Sequence, residues 1–187
     1  MHLKVVNGHH LFEQVFFRPK GKGLITIANH ASMLDDPMLW AILPFPATWR
    51  HLLMRWSLGA KEIMFNGTLD TFFFRSGQVI PTVRGGGIHQ QAMDDAIDVL
   101  AHGGWVHVFP EAKISQNDPD TPLLPFKWGI GRLILEAPSC PVVVPIFHHG
   151  SLLKCCFFVF LWCHNLLTPL LLTPLLLTLL LLTPSCC

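Results

Sequence analysis

The sequence predicts an α/β fold, a mixed sheet flanked by helices, and three observations carry that prediction. Short uncharged, largely apolar runs such as 24–28 and 105–109 have the length and continuity of buried strands. Segments with apolar residues at helical spacing lie between them. Gly- and Pro-containing breaks separate the two kinds, as in a sheet covered by helices. The 187 residues suffice for one domain with a sizeable core.

Taken in order, residues 1–23 read as a short apolar start followed by an exposed turn, Arg18-Pro19-Lys20-Gly21-Lys22-Gly23. Leu24-Ile25-Thr26-Ile27-Ala28 is a buried strand that runs into "NHASMLDD", residues 29–36. Asp36 suits a helix cap and Pro37 a first turn, so a short helix is expected over 38–43, stopped by Pro44 and Pro46. Residues 49–54 read as a strand and 60–74 as short helical pieces. A further strand over 78–84 ends at Arg84, before Gly85-Gly86-Gly87 breaks the chain. Ala92, Met93, Ala96, Ile97, Val99 and Leu100 then mark an amphipathic helix that Gly103-Gly104 ends. A strand over 105–109, a polar loop over 114–125, a helix over 127–136 and a strand over 142–146 follow.

After Gly150 the chain changes character. Residues 151–187 form a hydrophobic tail with a near-repeat of Leu, Thr and Pro, expected to be disordered or membrane-inserting. Pro169 and Pro174 would each remove a helix hydrogen bond there. The expected division is therefore a domain over 1–150 and a tail over 151–187.

Composition excludes some functions. A formal net charge of +1 and the lack of a basic block give no footprint for nucleic acid. The six cysteines form neither a CxxC pair nor a zinc spacing, so no disulfide framework is expected and a reducing compartment is permitted. Met1-His2-Leu3-Lys4-Val5-Val6 lacks the apolar core of a signal peptide.

The chemistry gathers at strand ends. A neutral imidazole takes a proton from a hydroxyl more readily when a carboxylate holds its other ring nitrogen. A turn after the strand 24–28 lets His30 face Asp35, although spacing alone leaves Asp35 and Asp36 interchangeable in that role. No Gly-x-Ser-x-Gly is present, so the hydroxyl belongs to a substrate and the reaction is a transfer. Arg84, at a strand exit before three glycines, suits a phosphate clamp. Glu111 stands at another exit with Lys113 two residues on, a pair that is equally explained as solvated. His30, Asp35, Asp36 and His107 also offer metal ligands, but their spacing matches no metal motif.

Four blocks, His30-x-x-x-x-Asp35, Val83-Arg84-Gly85, Phe109-Pro110-Glu111 and Val144-Pro145, resemble in order those of the glycerolipid acyltransferase family. "LMRW", "GGWVHVFPEAK" and "FKWGIGRLILEA" extend the resemblance toward its phospholipid–lysophospholipid transacylases, over roughly residues 1–150. The resemblance implies a glycerol-phosphate-acyltransferase-like sheet and an interfacial enzyme with phospholipid and lysophospholipid substrates. It implies acyl exchange without a thioester donor, cofactor or metal, cardiolipin remodelling as the outcome, and a mitochondrial membrane as the place. By position, His30 is the base, Asp35 its orienting partner, and Arg84 and Glu111 hold the acceptor's glycerophosphate, with Lys113 nearby. Phe16, Phe17, Trp40 and Phe72-Phe73-Phe74 are read either as an interfacial patch or as core.

The chain departs from the family in two ways. Ala112 stands where the family has glycine, a small change unless the backbone there needs positive φ. The resemblance also stops near His149-Gly150, and the family's upstream anchor is expected to be missing before Met1. The C-terminal part of the fold is thus expected to be incomplete, and an inactive, truncated membrane-associated fragment is the alternative expectation.

Overall fold

A computed structural model describes residues 2–32, 35–44, 50, 53–114, 123–149 and 156–161. The elements are β1 (His2–Val6), α1 (Gly8–Phe17), β2 (Leu24–Ala28), α2 (Asp35–Leu39) with a 3₁₀ turn Trp40–Ile42, β3 (Trp56–Ala60), α3 (Lys61–Met64) and α4 (Thr68–Ser76). β4 (Val79–Thr82), α5 (Gln91–Ala101), β5 (Trp105–Val108), α6 (Gly129–Glu136), β6 (Val142–His149) and β7 (Cys156–Leu161) complete them. They build the expected α/β sheet with flanking helices, in the order β1-β7-β6-β2-β5-β3-β4. β6, β2, β5, β3 and β4 run parallel, so their C-terminal ends share one edge. β7 is antiparallel to β6 and parallel to β1, which makes the sheet mixed.

Alternation along β2 explains why its run is apolar throughout. Leu24 and Ala28 pack with Leu11 and Val15 of α1, and with Leu39, Trp40 and Trp105, on one face. Ile25 and Ile27 pack with Ala92, Met93, Ala96 and Leu100 of α5 and Leu133 of α6 on the other. A central parallel strand buried on both sides has no solvent face to be polar. Thr26 and His107, side by side on β2 and β5, are the polar exceptions in this region and are fully buried. The amphipathic helix stops where expected: Gly103 adopts φ 74, and the N–H of Gly104 donates to the C=O of Val99 at 2.8 Å.

The structure revises or decides the sequence reading in five places. Residues 1–23 contain a strand and a ten-residue helix, not only an apolar start and a turn. The strand expected over 49–54 lies instead at 56–60; the N–H of Leu53 donates to the C=O of Arg50, a turn rather than a ladder. Trp49, His51 and Leu52 lie outside the described residues, as do Pro46, Met33, Leu34, residues 115–122 and the Leu/Thr/Pro repeat. Asp36 does not cap α2, which already includes it; its carboxylate reaches Arg55 instead. Trp40 is core and not an interfacial side chain, whereas Phe17, Phe72 and Phe73 are exposed. The run 156–161, assigned by sequence to the tail, supplies β7; its residues are apolar strand formers without the repeat's prolines.

Candidate active site

Where β2 ends, the chain turns and places His30 and Asp35 together. The His30 Nδ1 lies 3.2 Å from Asp35 Oδ2, with the imidazole 19% exposed and the carboxylate 3%. Of the two acids that spacing left interchangeable, Asp35 is the partner. The same Oδ2 accepts the main-chain N–H groups of Ala31 and Ser32, each at 2.6 Å. Three donors converging on one oxygen fix the turn that a five-residue separation requires. Phe109 stacks against the imidazole, with centroids 4.1 Å apart and planes 18° from parallel. With Nδ1–H donated to Asp35, the ring presents Nε2 as the nitrogen with a free lone pair.

Asp36 serves a different purpose. Arg55 Nε and Nη2 donate to its two oxygens at 3.1 and 2.5 Å, and Trp40 Nε1 donates at 2.8 Å. Burial alone would raise the Asp36 pKa, yet Arg55 and these hydrogen bonds hold the carboxyl below its usual value. This fork ties α2 to the start of β3.

Glu111 sits buried between the dyad and the loop after residue 122. Its Oε1 accepts the His30 main-chain N–H at 3.1 Å, and its Oε2 accepts that of Leu124 at 3.0 Å. Both oxygens therefore brace backbone. Arg84 is exposed at the β4 exit and pairs with Glu62 of α3 at 3.3 Å. Because β5 and β3 separate β2 from β4, Arg84 stands roughly 14 Å along the edge from His30, at ~4.8 Å per strand. Lys113 is exposed beyond the Glu111 turn. The structure thus brings His30, Asp35 and Glu111 together and sets Arg84 apart from them.

Beneath the dyad, Thr26 Oγ1 accepts Trp105 Nε1–H at 2.9 Å and meets His107 Nδ1 at 2.8 Å. The Thr26 hydroxyl and His107 Nδ1 share one hydrogen bond, and the buried His107 Nε2 has no hydrogen-bond partner among the described residues. Burial pushes the His107 pKa down to about 3, so the ring is neutral. Among the described residues, no group of three or more His, Cys, Asp or Glu is arranged to hold a metal ion.

Sequence reasoning missed Asn29 and His148. Asn29 Nδ2–H donates to the His148 C=O, and the His148 N–H donates to Asn29 Oδ1, both at 2.9 Å. The strand expected over 142–146 extends to His149, which is what carries His148 to the site. An asparagine directly before the catalytic-type histidine was the legible half of that signal.

Residues 6–149 match the family described as Acyltransferase. The chain is 41% identical over 147 residues to tafazzin of Drosophila melanogaster, an alignment covering 79% of this chain and 38% of that protein. It is 42% identical over 146 residues to N-acylphosphatidylethanolamine synthase of Arabidopsis thaliana, covering 78% and 51% respectively. It is 48% identical over 131 residues to the Dictyostelium discoideum protein named Taffazin, covering 68% and 45%. The chain thus spans about half the length, or less, of these relatives.

Proposed function

The chain belongs to the acyltransferase family, and from that premise we propose that it transfers fatty acyl chains between phospholipids and lysophospholipids. The contact that carries this reading is His30 Nδ1 to Asp35 Oδ2, 3.2 Å, at the exit of a buried strand. His30 Nε2 takes the proton of a lysophospholipid hydroxyl. The hydroxyl oxygen bonds to the ester carbonyl carbon of a donor phospholipid. The bond from that carbon to the donor's glycerol oxygen then breaks, and the same imidazole returns its proton to the leaving oxygen. Asp35 holds the tautomer and stabilises the imidazolium between the two steps. The exchange conserves one ester bond, so it needs no thioester donor.

Arg84 past β4 and Lys113 past β5 supply positive charge for the acceptor's phosphate along the same sheet edge, and Glu111 serves the acceptor indirectly, by fixing the His30 main chain. The transacylase resemblance supports cardiolipin remodelling at a mitochondrial membrane as the outcome and the place. The membrane surface is met through exposed apolar side chains: Phe72 and Phe73 on α4, and Trp128 at the start of α6. Among the described residues no helix is long and apolar enough to cross a membrane. The similarity to an N-acylphosphatidylethanolamine synthase favours a second acceptor, the amine of phosphatidylethanolamine, which the same base would deprotonate.

The test uses mixed vesicles holding acyl-labelled phosphatidylcholine with either lysocardiolipin or phosphatidylethanolamine. Label appears in the lysocardiolipin arm, and His30→Ala reduces the rate by about two to four orders of magnitude. Label confined to the phosphatidylethanolamine arm selects the amine reading. Transfer by His30→Ala at the parent rate removes the mechanism. In the same vesicles, Phe72→Ser with Phe73→Ser weakens cosedimentation; undiminished binding removes that docking face.

A further inference from the structure

One buried histidine has no part in the steps above. His148 lies on β6, which pairs with β2 up to Ile146 opposite Ala28. Beyond that rung, the Asn29 side chain takes over the ladder. Its amide exchanges two hydrogen bonds, each 2.9 Å, with the N–H and C=O of His148, as an opposing strand residue would. The His148 ring returns the contact: its Nε2 lies 2.7 Å from the C=O of Asn29. The same Nε2 is 3.6 Å from Asp35 Oδ2, the oxygen that also meets His30 Nδ1.

Facing a carbonyl at 2.7 Å, Nε2 carries a hydrogen. The charged and titratable groups around the ring are Asp35, His30, Glu111 and His107. Burial lowers its pKa, so it sits neutral beside them with that single N–H. That hydrogen is aimed between the main chain preceding His30 and the carboxylate that orients His30.

We propose that His148 is a positioning residue for the transfer reaction: through Nε2–H it fixes the Asn29 carbonyl and the Asp35 carboxylate, and thereby the tautomer and aim of the His30 ring. This rests on the acyl-transfer reading for its kinetic consequence, but its structural consequence is measured separately.

The experiment labels the full chain with ¹⁵N and follows the His30 ring nitrogens by NMR beside the vesicle transfer assay. In the parent, His30 carries its hydrogen on Nδ1. His148→Leu keeps both main-chain bonds to Asn29 but loses Nε2–H. It is expected to mix the His30 tautomers and to lower kcat about tenfold, short of the loss caused by removing the base, with KM within about twofold. His148→Gln, which returns an amide N–H, restores most of both. A parent-like His30 tautomer and kcat in His148→Leu overturns the proposal, and so does a loss of kcat with the tautomer unchanged. If His148→Leu does not fold, Asn29→Ala with the histidine intact is judged by the same tautomer reading. A parent chain without transfer activity overturns the functional reading, while the tautomer comparison still decides this one.

Discussion

Ala112 adopts φ 54, closing the turn in which its N–H donates to the C=O of Phe109 at 3.1 Å. This is the positive φ on which the sequence made its substitution for glycine depend. A left-handed conformation costs an L-residue about 1–2 kcal/mol, against about 0.5–1 kcal/mol of extra chain entropy lost by glycine. Ala112→Gly is therefore expected to stabilise the chain by roughly 0.5–1 kcal/mol and to raise Tm by about 2–3 °C. A thermal melt checks this; an unchanged or lower Tm means the turn is relaxed with alanine. The turn also bears on the site, because it directs Glu111 toward the N–H groups of His30 and Leu124. The glycine variant relieves strain without moving those bonds, so its transfer rate should hold. The dyad itself was legible as a motif. What the motif left open, Asp35 or Asp36, is decided by contacts the motif does not contain: Ala31 and Ser32 N–H on one side, Arg55 on the other.

α2 is a short helix, with too few internal hydrogen bonds to stand alone. Its placement comes from the Asp36–Arg55 fork, which spans from α2 to the residue before β3. Both side chains are mostly buried, at 22% and 11% exposure. Removing one partner leaves the other charge without compensation, at a cost of about 3 kcal/mol. Arg55→Met and Asp36→Asn should each lose about that much in urea unfolding, and the double variant should lose clearly less than their sum. Additive losses below about 0.5 kcal/mol each would show the fork to be ornamental. The same long-range contact explains why this stretch misled the sequence reading. Asp36 looks like a cap because its partner is nineteen residues away, beyond any local pattern. β3 reads Trp-Ser-Leu-Gly-Ala, poor in strand formers, and becomes a strand because β5 and β4 pair with it on either side. By contrast β2, β5 and α5 were visible because burial on both sheet faces, or on one helix face, writes itself directly into apolar spacing.

Across the whole molecule, the buried polar groups share one acid liability. His107 is neutral when folded, with its pKa lowered to about 3, and would titrate at about 6.5 when unfolded. Above pH 6.5 neither state binds a proton there, and the group is silent. Below it the unfolded chain binds the proton and the folded chain does not, so stability falls as pH drops, by about 1.4 kcal/mol per unit until pH 3. His148 is shifted in the same direction by burial. Asp36, held below its usual value, adds its stabilisation above about pH 4 and loses it as pH falls through its lowered folded pKa. The three effects accumulate on the acid side, with the histidines acting first. Urea unfolding of the parent should thus lose at least about 2 kcal/mol between pH 7.5 and pH 5.0 from His107 alone. His107→Leu keeps an apolar side chain among Trp40, Trp105 and Phe109, removes that titration, and should lose about 2 kcal/mol less over the same interval, whatever its stability at pH 7.5. Equal pH slopes in the two chains would mean that His107 takes up its proton in the folded state. In a doubly protonated ring both nitrogens are donors, so Nδ1–H would then donate to the Thr26 hydroxyl oxygen.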